Sequence, residues 1–146
     1  MAIAGDLAPK RGTHVGVGLF HPSMALDMAE PFTVLFVEDD VAVRIATAEL
    51  LASKGFHILV APDGATALRL LAEHPVDVLF TDVVMPDLDG ITLVRQAKRL
   101  RPDLKVMLMT GYYSRAAEAQ KLGKLLFKPV RGDQLEAELR GLARAE

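Results

Sequence analysis

From Phe32 onward the hydrophobic positions follow two patterns that alternate along the chain. The runs FTVLFV (32–37), HILVA (57–61), VDVLFT (76–81), KVMLMT (105–110) and KLLF (124–127) are short and nearly continuously apolar, which predicts buried strands. Between them, apolar residues recur three or four positions apart, as on a helix face. In VAVRIATAELLASKG the recurring positions are Val43, Ala46, Leu50 and Leu51, and Gly55 supplies the stop. Asp40 and Asp63 are placed to cap the first two helices, and Pro75 closes the second, GATALRLLAEH. GITLVRQAKRL (90–100) is a third, closed by RPD, and RGDQLEAELRGLARA (131–145) is a closing amphipathic helix with Leu135, Leu139 and Leu142 on one face.

Strands that are apolar on both faces must be covered on both, and the intervening helices provide that cover. Repeated βα units therefore predict an α/β fold with a doubly wound, five-stranded parallel sheet. A flavodoxin-like strand order, 2-1-3-4-5, brings the acidic residues at the ends of the first and third strands together at the topological switch point. Residues 1–31 are rich in Gly, Ala and Pro, lack periodicity and are expected to form a flexible leader, within which Met24 or Met28 could be the natural start. Residues 32–146 are expected to form a single domain.

Composition narrows the function. With 146 residues, 51% of them hydrophobic and 25% charged, there is material for one full core. A formal net charge of -2 gives no basic footprint, so no nucleic-acid partner is expected. The chain has no cysteine, which removes disulfides, thiol nucleophiles and cysteine-bound zinc from consideration. No apolar run is long enough to span a bilayer and no signal peptide is recognisable, so the expected location is cytoplasmic, without a membrane partner.

The chemistry gathers at the strand ends. Glu38, Asp39 and Asp40 follow the first strand and Asp82 the third; neighbouring strands lie about 4.8 Å apart, so several carboxylates converge. Their repulsion calls for a cation, and a few hard oxygens in a partly open site suit Mg²⁺. Thr110 and Lys128 end the fourth and fifth strands, adding a hydroxyl and an ammonium, and an X-Pro bond follows at Pro129. Acids, metal, hydroxyl and ammonium together suit a transferring phosphoryl group, with a carboxylate as nucleophile.

The segments VEDD, TDVVMPDLDG, MTG and FKP, in that order, resemble those of bacterial response-regulator receiver domains, over roughly residues 32 to 144. The resemblance implies Asp82 as phosphoacceptor, Glu38 and Asp39 as the acidic pair around Mg²⁺, and the backbone carbonyl of Val84 as a further metal ligand. It implies Thr110 as the switch hydroxyl and Lys128 as the phosphate-binding lysine. Asp87, Asp89, Gly90 and Pro86 then build the loop into the next helix. The implied function is that of a stand-alone, non-enzymatic response regulator. It would take its phosphoryl group from a sensor histidine kinase and signal by protein contact, or pass the group to a phosphotransferase in a phosphorelay.

Several positions depart from the family pattern. Leu125 stands where receivers carry an aromatic switch residue, so the usual coupling between threonine and aromatic cannot be drawn there. LMTGYY (108–113) instead resembles the subfamily marked by Phe-Ala-Thr-Gly-hydrophobic-Tyr, whose members are often single-domain regulators, with Leu108 and Met109 as departures. SRAAEAQKLG (114–123) has room for only about two helical turns, so the fourth helix is expected to be short or mobile and to order on phosphorylation. Where receivers often carry polar groups that guide a hydrolytic water, this chain has Val84, which cannot hydrogen-bond water, and the bulky Tyr112, which implies slow loss of phosphate.

Other readings remain beside this one: a receiver of a hybrid histidine kinase, a receiver-like module that binds without phosphorylation, or a Mg²⁺-dependent phosphohydrolase. The last needs a second acid where Val84 stands. His14, His21, His57 and His74 read as ordinary surface histidines, and the oligomeric state as monomer or weak dimer.

Overall fold

A computed structural model describes residues 32–144. The leader expected over 1–31, with His14 and His21, and residues 145–146 lie outside them. Five parallel strands, β1 (Thr33–Val37), β2 (His57–Ala61), β3 (Val78–Asp82), β4 (Lys105–Thr110) and β5 (Lys124–Phe127), form one sheet in the order β2-β1-β3-β4-β5, as expected. The helices are α1 (Val41–Ser53), α2 (Gly64–Glu73), α3 (Gly90–Leu100), α4 (Ala116–Gln120) and α5 (Gly132–Arg144).

Alternate strand residues feed two separate cores. Val34, Phe36, Ile58, Phe80, Met107 and Leu126 pack with Ala48 and Leu51 of α1 and Leu135 and Leu139 of α5. Leu35, Val37, Leu59, Leu79 and Leu108 pack with Leu70 and Leu71 of α2, Ile91 and Val94 of α3, and Ala119 of α4. This two-sided burial is why the strands read as continuous apolar runs rather than alternating ones. Phe36 and Phe80 stack across β1 and β3, with centroids 4.9 Å apart, in the first of these cores.

Two expectations need correction. The third strand starts at Val78, not Val76; just before it Asp77 bonds Thr33 twice, its carboxylate accepting the Thr33 N–H at 2.7 Å and its own N–H donating to the Thr33 carbonyl. In α1, Val43 is 40% exposed and Ala46 faces solvent; the stripe turned inward is Arg44, Thr47, Ala48, Leu51 and Ala52. The first two turns of that helix are apolar almost all round, so spacing alone offered several stripes.

The helix ends follow their capping residues. Asp40, Asp63 and Asp89 each accept a backbone N–H from three residues on, at 3.0, 2.8 and 2.8 Å. Gly55 takes φ +98 just past α1, a left-handed conformation that suits glycine. α4 is shorter than expected and has no side-chain cap. It is tied instead by Arg115, which pairs with Asp89 at 3.2 Å and Glu118 at 3.1 Å, while Arg95 of α3 holds Glu118 at 3.0 Å.

Gly90 sits against the end of β3 so closely that an added Cβ would lie 2.1 Å from the Asp82 carbonyl oxygen, whereas Gly141 in α5 has nothing within 4 Å. Gly90→Ala should therefore destabilise by about 3 kcal/mol or more in urea unfolding. Gly141→Ala should stabilise by roughly 0.5–1 kcal/mol through helix propensity. Equal stability of the two variants would mean that the turn after β3 has slack.

Candidate functional site

The strand register sets the site. Val37 is opposite Thr81, Asp82 opposite Met109 and Thr110 opposite Phe127, so the next residues outward are Glu38, Thr110 and Lys128. Two backbone bonds extend the ladder past the strands, Val83 N–H to Met109 O at 2.9 Å and Lys128 N–H to Thr110 O at 2.8 Å. Glu38, Asp82 and Thr110 are 2%, 5% and 2% exposed, which is unusual for the two carboxylates. The parity of the strands separates them: Asp82 falls on the face of Phe80, towards α1 and α5, and Thr110 on the face of Leu108, towards α3 and α4.

Ligand oxygens of Glu38, Asp39 and Asp82 lie within 4.8 Å of one another. Lys128 Nζ donates to Asp82 Oδ2 at 2.9 Å, next to the cis Lys128–Pro129 bond. Glu38 Oε2 accepts the Asp40 N–H at 3.1 Å, while its Oε1 is buried with no hydrogen-bond partner. Burial pushes the Glu38 carboxyl above its usual range, helped by the Asp82 charge and opposed by the Asp40 N–H. Burial likewise raises Asp82, with Asp39 adding repulsion and Lys128 opposing it. Burial alone would lower Lys128, but the facing carboxylates outweigh it and hold the ammonium charged. An orphaned, buried carboxylate oxygen amid like charges fits a hard divalent cation such as Mg²⁺.

Thr110 Oγ1 accepts the Tyr112 N–H at 3.0 Å and lies 3.3 Å from the Tyr112 carbonyl, to which it donates. The hydroxyl thus faces its own loop rather than Asp82 in this state. Beside it, Val83, Val84, Thr110, Tyr112, Ser114 and Arg115 line a cleft of about 220 Å³. Val84 and Tyr112 are exposed, and Leu125 is half-buried against the α2/α3 core. Asp89 caps α3 and pairs with Arg115, a structural duty outside the acid cluster.

Sequence reading singled out the two tyrosines after Thr110 without their contacts, and missed Arg44 altogether. Tyr113 stacks on Phe127 at 4.8 Å, joining the loop after Thr110 to the residue before Lys128. Arg44 Nη1 donates to the Glu38 carbonyl at 2.9 Å and lies 3.5 Å from that of Asp39. The available signal was a lone charged residue among the apolar positions that open α1, one turn after the acids. His57, read as a surface residue, is half-buried with Nδ1 3.3 Å from Thr33 Oγ1.

The family model described as response regulator receiver domain matches residues 34–140. The response regulator receiver protein CpdR of Brucella abortus is 39% identical over 100 residues, covering 66% of this chain and 83% of that protein. The sensor kinase CckA of the same organism is 40% identical over 90 residues, 60% of this chain but only 10% of the kinase. The transcriptional regulatory protein ZraR of Escherichia coli is 36% identical over 110 residues, 73% of this chain and 25% of that protein. Among solved structures, the receiver domain of hybrid histidine kinase CckA superposes with TM-score 0.67 and 33% identity, covering 77% of this chain and 99% of that one. A CheY-like receiver domain from Methanospirillum hungatei gives TM-score 0.71 at 27% identity, covering 77% and 94%. Among the described residues no helix is long and apolar enough to cross a membrane. Sequence match, strand order and strand-end chemistry agree, and the chain belongs to the response regulator receiver domain family of two-component systems.

Proposed function

We propose that this chain is a stand-alone response regulator that accepts a phosphoryl group on Asp82 from the phosphohistidine of a sensor kinase. The observation that carries the reading is the convergence on Asp82. One oxygen is held by Lys128 at 2.9 Å, and Glu38 and Asp39 offer ligand atoms within 4.8 Å. Glu38, Asp39, Asp82 and the Val84 carbonyl would hold Mg²⁺, which would supply positive charge to offset the carboxylates and the incoming phosphoryl oxygens.

The side chains then divide the work. An Asp82 carboxylate oxygen attacks phosphorus, the bond to the donor imidazole nitrogen breaks, and its electron pair stays with the imidazole, which takes up a proton. Lys128 shifts from Asp82 to the phosphoryl oxygens, and Thr110 turns from the Tyr112 backbone to donate to one of them. Those bonds exist only after transfer, so they shift the balance between two conformations. The segment from Tyr112 through α4 carries the change, consistent with its short helix and surface ion pairs. Output is by protein contact or by onward phosphotransfer in the cytoplasm.

CpdR supports the stand-alone reading, since the chain spans 83% of that receiver protein. The likeness to CckA supports a second reading, a receiver module of a hybrid kinase, with the same chemistry at Asp82.

Incubation with acetyl phosphate and Mg²⁺ should add one phosphoryl group, about 80 Da by intact mass, to the unaltered chain and none to Asp82→Asn. An adduct that persists in Asp82→Asn or without Mg²⁺ would contradict the assignment. After donor removal, phosphate loss should take minutes or longer, and Val84→Asn, which can orient water beside Asp82, should accelerate it several-fold; a lifetime of seconds in the unaltered chain would overturn this. Mg²⁺ needs Glu38 and Asp82 ionised, and burial raises both pKa values. Lowering pH should therefore weaken Mg²⁺ binding, with the loss starting above the ordinary carboxylate range of about 4 to 4.5. Affinity unchanged down to that range would show that the two acids are not the ligands.

A further inference from the structure

Arg44 stands where a helix facing a sheet normally carries an apolar residue. It opens the stripe that continues with Thr47, Ala48, Leu51 and Ala52, and it is half-buried. A helical side chain leans towards the N-terminus of its helix, so from the first turn of α1 its guanidinium reaches back over the turn that holds the acids. There Nη1 donates to the Glu38 carbonyl at 2.9 Å, with the Asp39 carbonyl 3.5 Å away.

The rest of that turn is already fixed. The Glu38 N–H donates to Ala61 O at 3.1 Å, the Asp40 N–H to Glu38 Oε2 at 3.1 Å, and the Arg44 N–H to Asp40 O at 2.8 Å. The Arg44 side chain adds the hold on the Glu38 carbonyl, between the end of β1 and the start of α1. The peptide plane it holds sets the direction in which the Asp39 side chain leaves the backbone.

We propose that Arg44 is a positioning residue for divalent-cation binding: by holding the Glu38 carbonyl from α1, it keeps Glu38 and Asp39 in the arrangement that receives the metal. The proposal rests on the Mg²⁺ reading above. Its distinguishing feature is the sign of the effect. A guanidinium near a cation site repels the cation, so loss of the charge alone would tighten metal binding. Loss of the brace loosens the ligands and weakens it, as removal of outer-sphere partners does by about 10- to 100-fold.

The test is calorimetric titration of Mg²⁺ into the full chain at neutral pH without phosphodonor, with circular dichroism and thermal unfolding as checks on the fold. Arg44→Met, neutral and of similar length, should weaken Mg²⁺ binding about ten-fold. Arg44→Lys keeps the charge but not the planar donor fork, and should recover part of the loss. Binding as tight as or tighter than that of the unaltered chain in a folded Arg44→Met would overturn the proposal and leave the Mg²⁺ reading intact. If Arg44→Met does not fold, Arg44→Lys decides alone: weakening of a few-fold supports the brace, and unchanged affinity overturns it. Absence of Mg²⁺ binding by the unaltered chain would instead overturn the metal reading, and the role of Arg44 with it.

Discussion

Glu38, Asp39 and Asp82 crowd ligand oxygens to within 4.8 Å of one another, two of them on buried residues, and Lys128 meets them with an ammonium 2.9 Å from Asp82. Like charges at that range in a partly desolvated site are costly unless a cation joins them. The surrounding structure holds them there regardless. The parallel ladder between β1 and β3 fixes Glu38 beside Asp82, Asp40 starts α1 immediately after the acids, and Gly90 lets α3 begin against the last residue of β3. This stored repulsion favours a cation, and under the proposed function that cation would offset both the carboxylates and the oxygens of an incoming phosphoryl group.

Much of the fold was legible because both faces of the sheet are buried. That burial makes the strands continuous apolar runs, and the acidic ends of the first and third runs then choose the strand order. The aspartate caps at residues 40 and 63 were legible for the same local reason: a carboxylate satisfies free N–H groups wherever a helix starts. What failed was the inward face of α1, where Val41, Val43 and Ile45 are 57%, 40% and 48% exposed. A helix apolar on several sides does not encode its orientation, and tertiary packing chose the stripe headed by Arg44.

Which side chains gather at the strand ends was legible from types and order, but their couplings were not. Nothing in the spacing shows that the Thr110 hydroxyl is occupied by the Tyr112 backbone, or that Tyr113 stacks on Phe127. Leu125 had suggested that the link between threonine and an aromatic was lost. The stack provides a different physical connection between the same two strand ends, from the loop after β4 to the end of β5. Both tyrosine rings are exposed and α4 is a single turn held by surface pairs, so this region opposes rearrangement less than the buried sheet does.

Under the proposed function Thr110 and Lys128 leave their present partners for a phosphoryl group on Asp82. The most direct measurement is a crystal structure with Mg²⁺ and beryllofluoride, a stable mimic of the acyl phosphate. The expected result is beryllium on an Asp82 oxygen, the Lys128 ammonium and the Thr110 hydroxyl both on its fluorides, and the Tyr112 N–H released. Beryllofluoride bound to Asp82 with Thr110 still holding the Tyr112 backbone would contradict it.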